Sequence, residues 1–424
     1  MRRIESGNYH LAAEHSTTLR MLQVANQPGP FYCFLRPLVF ELMRRGVDVD
    51  VACNSGDERF ENLRSVGMNV LPLTVGPWKS AATWLTLRRE LRDLMARKAY
   101  DICVVHTPAI SWLTRRLASR AGIPVVAYTA HGLPFFERQG ACTYRALLAV
   151  EKFCGRYTDL LMVMNSVDLA AAREHRLVKP GGLVRHIPGV GVDTERWQRP
   201  TPPEKLDALR RELSLGPQTR VVAYIGRLME TKGVLDLVEA LSRWRGSGRD
   251  VALVVAGTGP LDRAMAEAAA RAGVADRLHL LGWRDDVTAL MALADVVVLP
   301  STYREGLPAV LMEAGAVGKP VVAYQNRGSD DIVVDGETGY RVPARDVVAL
   351  TDAVGRLVDD PALARRMGDA GRRCVNATFG YHQAVRAQLD AYAGALEAKG
   401  IDASGLRGDL GDPVFSLAEG QGEP

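Results

Sequence analysis

The stretch that decides the fold is ADVVVLPSTYREGLPAVLMEAGAVGKPVVA, residues 294–323. Val296–Leu299 is a short apolar β-branched run, the pattern of a strand buried on both faces of a parallel sheet. A polar turn follows, and a helical pattern opens at Pro308, whose fixed φ suits the first helical position. A helix that starts just behind a strand aims its free N–H groups and the positive end of its dipole above the sheet. Gly306 and Leu307 carry the N–H groups placed to meet a phosphate there. Two carboxylates mark the segment: Glu305 in the turn and Glu313 in the helix, with seven residues between them. From Leu307 to Glu313 the helix rises about 9 Å. That is roughly the span from a diphosphate to its ribose, where a carboxylate accepts from both hydroxyls, as in dinucleotide sites. Glu305 then faces a sugar. Taken alone, Glu313 reads equally well as a solvated helix residue and Glu305 as a capping acid. Their neighbours along the chain tip the balance.

Working outward, strand and helix patterns alternate throughout. A strand at Leu22–Ala25 leads into NQPGPFYCFLRPLVFELMRRGVDVDVACN, which reads as loop, amphipathic helix, Gly46 as helix stop and a second strand at Val47–Ala52. Further strands are expected at Ile102–Val105, Pro124–Tyr128 and Asp159–Met164, with helices near 82–97, 110–120 and 142–155. A second series begins at RVVAYIGRLMETKGVLDLVEAL and continues through VALVVAGTGP, RLHLLGWRDDV, the opening stretch, KPVVAY and TGYRV. Such alternation predicts an α/β chain of two doubly wound parallel-sheet domains, with ligands at the carboxyl ends of the strands. The expected divisions are a flexible N-terminus at 1–18, a first domain at 19–195, and a linker at 196–205. A second domain follows at 206–378, then a terminal helix at 379–399 and a disordered tail at 400–424. The Gly- and Pro-rich VRHIPGVGVDTERWQRPTPPEK marks the boundary between the two domains.

Length and composition agree with this. With 424 residues the chain exceeds one ordinary core. Its 47% hydrophobic and 24% charged content is that of a water-soluble globular protein. No apolar run approaches the roughly 20 residues that span a bilayer. Residues 1–18 lack the apolar centre of a signal peptide, so a cytoplasmic location is expected. The six cysteines are scattered without a CxxC pair, which points to reduced, mostly buried thiols. The net charge of +4 divides unevenly. Residues 1–200 carry 27 Lys and Arg against 18 Asp and Glu, and the remainder carries 26 against 31. The basic half suits an anionic partner such as a lipid pyrophosphate or an anionic membrane face, although a merely solvated surface is nearly as good a reading. The basic residues form no single stripe and no zinc-finger or RNA-binding motif occurs, so nucleic acid is not an expected partner.

Several residues carry chemistry. GRLMETKG, 226–233, places Arg227 just past a strand and Lys232 at the opening of the next helix. Arg offers a planar fork and Lys a point charge, and together they make a clamp for a diphosphate leaving group. Negative charge grows on the departing phosphate, so such a clamp favours the transition state over the ground state. In RLHLLGWRDDV, backbone groups near Trp283 and Arg284 are weaker candidates for reading a nucleobase. GTGP at 257–260 lacks the dinucleotide fingerprint and reads as a tight turn. PVVAYTAHGLPFF sets His131 just beyond a strand, with Gly132 keeping the approach open, where the first domain would face the second. His106 in VVHTP also follows a strand and reads as structural or acceptor-side. No HExxH, DxD or Cys/His cluster suggests a metal, and no Walker A loop or GxSxG supports kinase or hydrolase chemistry.

Assembled in this order, EGLPAVLMEA, GRLMETKG, TAHG and IPGVGVDTERW resemble the retaining glycosyltransferases of bacterial family 4, over about residues 20–380. FLRPLVFELMRRGVDVDVACN, VVHTPAISWLTRRLASRAGIPVVAYTAHGLPFF and EKFCGRYTDLLMVMN look like the enzymes of that family that build capsule, exopolysaccharide or lipid-linked oligosaccharide. The resemblance implies the GT-B fold, with the terminal helix crossing back to the first domain. It also implies a nucleotide-sugar donor, most commonly a UDP-sugar, bound by the second domain with no metal or other cofactor. By motif match Arg227 and Lys232 bind the diphosphate, and Glu305 with the Gly306 and Leu307 amides meets the sugar and β-phosphate. Glu313 holds the ribose, His131 contacts the transferring sugar, and Gly226 belongs to the same donor-binding set. The implied acceptor, a polyprenyl-pyrophosphate-linked sugar, would bind the basic first domain at the inner membrane face. Many family members carry a Gly-Gly turn after the first strand. Here QPGPFYC stands in its place, with Gly29 as the residue left to do part of that work.

Two other functions fit part of the pattern. A sugar-nucleotide 2-epimerase of the same architecture would alter the donor with no acceptor present. A non-catalytic sugar-nucleotide sensor or scaffold would keep Glu313 and Arg227 and tolerate loss of His131. His131 and Glu305 together favour the transferase.

Overall fold

A computed structural model describes residues 18–76, 80–136, 139–302 and 305–411. The first domain runs β1 (Arg20–Val24), α1 (Arg36–Arg44), β2 (Asp48–Asn54), α2 (Arg59–Ser65), β3 (Asn69–Leu73) and α3 (Ala81–Arg97). It continues with β4 (Ile102–Val105), α4 (Pro108–Arg120), β5 (Val125–Ala130), α5 (Ala141–Gly155), β6 (Leu160–Val163), α6 (Ser166–Glu174) and β7 (Leu183–His186). These strands form a seven-stranded sheet in the order β3-β2-β1-β4-β5-β6-β7, with every pair parallel. After α7 (Thr194–Gln198) and α8 (Pro203–Glu212), the second domain runs β8 (Arg220–Ile225), α9 (Val234–Gly246), β9 (Val251–Ala256), α10 (Asp262–Arg271), β10 (Leu278–Leu280) and α11 (Val287–Leu293). It ends with β11 (Val296–Leu299), α12 (Ala309–Val317), β12 (Val321–Tyr324), α13 (Ser329–Ile332), β13 (Gly339–Val342), α14 (Val347–Asp359) and α15 (Pro361–Thr378). Its six parallel strands lie in the order β10-β9-β8-β11-β12-β13, and α16 (Tyr381–Glu397) closes the helix series.

The strands most legible in the sequence are central ones, although the second series also took in β10 and β13 at the edges of the second sheet. β4, β5, β6, β9 and β11 are buried at every residue, because helices cover both faces of each sheet. The sequence reading missed β3 and β7, which lie at the two edges of the first sheet. β3 contains Pro72, tolerated there because an edge strand need not donate on its outer side. β7, LVRH, is half-buried at best and has no continuous apolar run.

The chain passes between the domains twice, at adjacent points. Ile187 belongs to the core of the first domain and Val192 to that of the second. On the return, Phe379 packs in the second core and Tyr381 in the first. The crossings pair with each other: Val192 N donates to Phe379 O (2.9 Å) and Tyr381 N to Val192 O (3.0 Å). The segment expected as a linker, 196–205, is therefore not one. Trp197 of α7 is buried in the second core, as is Leu209 of α8, so the Pro-rich composition there marks helix starts. α16 crosses back as expected and buries Val385, Leu389, Tyr392 and Leu396 in the first core.

The tail also differs from expectation. Residues 401–411 pack on α1, with Ala403 and Leu406 both 1% exposed. Arg45 donates to the carbonyls of Gly405, Arg407, Gly408 and Asp409, and Arg44 to that of Asp409. Composition read as disorder because backbone carbonyls, which carry no sequence signature, make most of these bonds. The remainder of that tail, 412–424, and the expected flexible N-terminus up to residue 17 lie outside the described residues.

Candidate active site

In each sheet the strand order turns back at one strand: β1 lies between β2 and β4, and β8 between β9 and β11. Loops leaving the carboxyl ends at such a switch point diverge and open a crevice. The two crevices face each other, and between the domains lies a cavity of about 400 Å³. The first domain lines it with Phe34, His131, Met164, Gly189 and Val190. The second contributes Tyr224, Gly226, Lys232, Glu305, Gly306, Leu307 and the first residues of α12.

Lys232 and Glu305 arrive from the loops after β8 and β11. The ammonium of Lys232 forms an ion pair with Glu305 Oε1, which also accepts from Ser301 Oγ at 2.7 Å. One backbone position permits this approach. Gly233, at φ 65°, lies so close to the Pro300 carbonyl that a Cβ would come within 2.1 Å of its oxygen. Burial and the Glu305 charge push the Tyr224 phenol up, and its hydroxyl donates to the Arg227 carbonyl at 2.9 Å. A cation and a carboxylate thus meet beside the start of α12, where Pro308 is the cap residue and the helix begins one residue later than the sequence reading placed it.

His131 enters from the first domain on the loop after β5. Burial lowers its imidazole to about 4, so the ring is neutral at physiological pH. Its backbone abuts the second domain: a Cβ on Gly306 would lie 2.5 Å from the His131 carbonyl oxygen. The contact is fastened from both sides. Asn165 Nδ2 donates to Gly306 O (3.1 Å), Arg327 pairs with Asp168 (2.5 Å), and Arg327 also donates to Phe135 O (2.9 Å). Asp168 accepts in turn from Leu133 N (2.9 Å), which ties the His131 loop into the same network. Leu307 packs against both the first and the second core.

Five expected site residues do not line the cavity. Glu313 lies three and four residues beyond Val310 and Ala309, which do, so it shares their helix face one turn deeper. Burial pushes its carboxyl up to about 7, partly opposed by Arg196 of α7. Arg227 is exposed on the loop after β8, next in sequence to the lining residue Gly226 but not itself in the cavity wall. Gly29 opens the helical turn that follows β1, where an added Cβ would make only ordinary contact with Arg59. Trp283 is 69% exposed and its indole donates to Asp285. Arg284 bridges Asp286 and Glu212 and fastens the loop after β10 to α8. The side chains of Trp283 and Arg284 therefore serve the surface and the packing of the second domain. Phe34, Tyr224 and Met164 line the cavity without having been singled out. Phe34 lies in a π-helical turn, Phe31–Leu35, just ahead of α1. Among the described residues no group of three or more His, Cys, Asp or Glu could hold a metal ion.

Two facing parallel-sheet domains, a crossing terminal helix and an anion-ready helix start in the cleft define the GT-B architecture. The chain belongs to the bacterial glycosyltransferases of family 4: the family model "Glycosyl transferases group 1" matches residues 207–374 and "Glycosyl transferase 4-like domain" matches 34–189. EpsD of Bacillus subtilis is 29% identical over 389 residues, 90% of this chain and 98% of EpsD. The GDP-mannose-dependent alpha-(1-6)-phosphatidylinositol monomannoside mannosyltransferase of Mycobacterium tuberculosis is 37% identical over 302 residues, 69% of this chain and 76% of the relative. Among solved structures, Anabaena HepE in complex with UDP superposes with a TM-score of 0.73 at 19% identity, covering 89% of this chain and all of HepE.

Proposed function

We propose that this glycosyltransferase moves a sugar from a UDP-sugar to a lipid-linked acceptor in cell-surface glycan assembly, with retention at the anomeric carbon and no metal. The observation that carries the reading is the Lys232–Glu305 pair beside the Gly306 and Leu307 amides in the interdomain cavity. Lys232 and those amides hold the β-phosphate, and Arg227 reaches it from the exposed rim. Positive charge there offsets the charge that develops on the leaving diphosphate, the task a metal performs elsewhere. Glu305 and His131 hold the transferring sugar from opposite domains, and Glu313 accepts from the ribose hydroxyls. The acceptor hydroxyl attacks from the side of the departing phosphate, whose oxygen takes its proton. Closure of the two domains excludes water and limits donor hydrolysis.

The acceptor side rests on the first domain. α3 exposes Arg88, Arg89 and Arg92 beside Leu85 on one face, a basic stripe that suits anionic headgroups. The enzyme then works as a peripheral protein at the inner face of the cell membrane. No described helix is long and apolar enough to cross one. The mannosyltransferase relative acts on a phosphatidylinositol glycoside, which favours a lipid acceptor, while its GDP-mannose makes the nucleotide a point to test. The test is nucleotide release from a panel of UDP-sugars and GDP-mannose, with and without polyprenyl-diphosphate-linked sugars and with EDTA present. Release of UDP that requires the acceptor and survives EDTA is expected. A donor altered with no acceptor present would mean an epimerase, and no turnover with any pair would favour a binding protein.

A further inference from the structure

His106, directly after β4, is 1% exposed, and its ring stands behind that of His131 with centroids 5.6 Å apart. Phe31 packs edge-on against it at 5.6 Å. Beyond it lies Gln23 of β1, fully buried. The Gln23 amide nitrogen sits 3.0 Å from the Met21 sulfur, an atom that can only accept, so the amide NH₂ faces the sulfur and the carbonyl oxygen faces His106. That oxygen is 2.5 Å from His106 Nε2. An amide oxygen cannot donate, so His106 carries its hydrogen on Nε2 and has a lone pair on Nδ1. His106 Nδ1 faces His131 Nε2 at 3.4 Å. Two lone pairs cannot share this contact, so His131 Nε2 is the donor and its Nδ1 keeps the lone pair.

We infer that Gln23 and His106 are positioning residues that lock His131 in the Nε2–H form, so that His131 offers Nδ1 as a hydrogen-bond acceptor to a hydroxyl of the transferring sugar. The inference rests on the placing of His131 at the donor sugar. Burial keeps both rings neutral, which removes the charged form that would donate from both nitrogens. His131 therefore selects and orients a sugar hydroxyl and does not protonate the leaving phosphate. A flipped Gln23 amide would reverse every polarity in the chain and make His131 Nδ1 a donor.

Long-range ¹H–¹⁵N spectra of the full-length protein, labelled at histidine, read the tautomer directly. His131 is identified by the signals lost in His131→Asn. The expected result is an unprotonated Nδ1 and a protonated Nε2. In His106→Leu the two forms should mix, and kcat for UDP release from UDP-glucose, or whichever panel donor is turned over, should fall at least tenfold with little change in KM. His106→Asn puts an amide oxygen near the place of Nδ1 and should restore both tautomer and rate, as a residue needed only for packing would not. His131 protonated on Nδ1 in the unaltered protein, or tautomer and kcat both unmoved in His106→Leu, would overturn the inference. If the tautomer responds while His131→Asn leaves turnover intact, the lock stands and the placing of His131 at the sugar falls.

Discussion

Lys232 and Glu305 hold each other in the free cavity, and a donor must come between them. On the proposed reading the diphosphate would take the ammonium and the sugar the carboxylate, so neither charge would be left alone in a half-buried site. Replacing either with a neutral side chain should leave folding intact and lower turnover by about 100- to 1000-fold, Lys232 through lost stabilisation of charge on the leaving phosphate and Glu305 through the lost hold on the transferring sugar. Initial rates for Lys232→Ala and Glu305→Gln, beside unchanged far-ultraviolet spectra, check this. Glu313 makes a pH-dependent case. Burial raises its folded value to about 7 from an ordinary 4.5, so the folded state binds this proton more tightly than the unfolded chain does. Its contribution is fully present below about pH 4.5 and is lost as pH rises through about 7. Glu313→Gln should match the parent's melting temperature near pH 4.5 and exceed it above pH 7. Ribose hydroxyls donate more strongly to the ionised carboxylate. UDP should therefore bind the parent more tightly as pH rises through 7, a dependence that calorimetry should find weakened in Glu313→Gln.

At the scale of elements, legibility followed burial and local patterning. β11 and the turn into α12 were readable because a fully buried strand, a Pro at a helix start and two acids at fixed spacing are all local signals. The edge strands β3 and β7 were not, since each is only partly buried and carries no continuous apolar run, β3 being interrupted by Pro72 and β7 ending in Arg185 and His186. The same holds within the site. Lys232 and Glu305 could be assigned to strand ends, but Phe34 enters the cavity on a π-helical turn that no local rule announces. The side chains of Trp283 and Arg284 lie outside the cavity wall because the loop that carries them follows β10, the edge strand of its sheet, two strands away from the switch point. The seam between domains adds a prediction. Gly306→Ala would set a methyl 2.5 Å from the His131 carbonyl and force the cleft open. A shift of about 1 Å between reacting groups costs about 100-fold in rate. The variant should show that loss with little change in melting temperature, and its scattering profile in the presence of UDP should be more expanded than the parent's.

On the scale of the molecule, the last described residues belong to the first domain. Leu406 is 1% exposed, and the carbonyls around it are held by Arg44 and Arg45 of α1. Leu406→Ala should cost about 2–4 kcal/mol of stability, read as a lower urea midpoint, although the residue lies far along the chain from the domain it supports. α16 extends the dependence, since Tyr381, Val385, Leu389, Tyr392 and Leu396 fill one face of the first core. During synthesis on the ribosome, the amino-terminal sheet emerges early but cannot bury that face until the second domain and then α16 have been translated. The newborn chain must hold an open apolar surface throughout production of its second domain. Assembly of the amino-terminal domain thus finishes after that of the second domain, although its own sheet is made first.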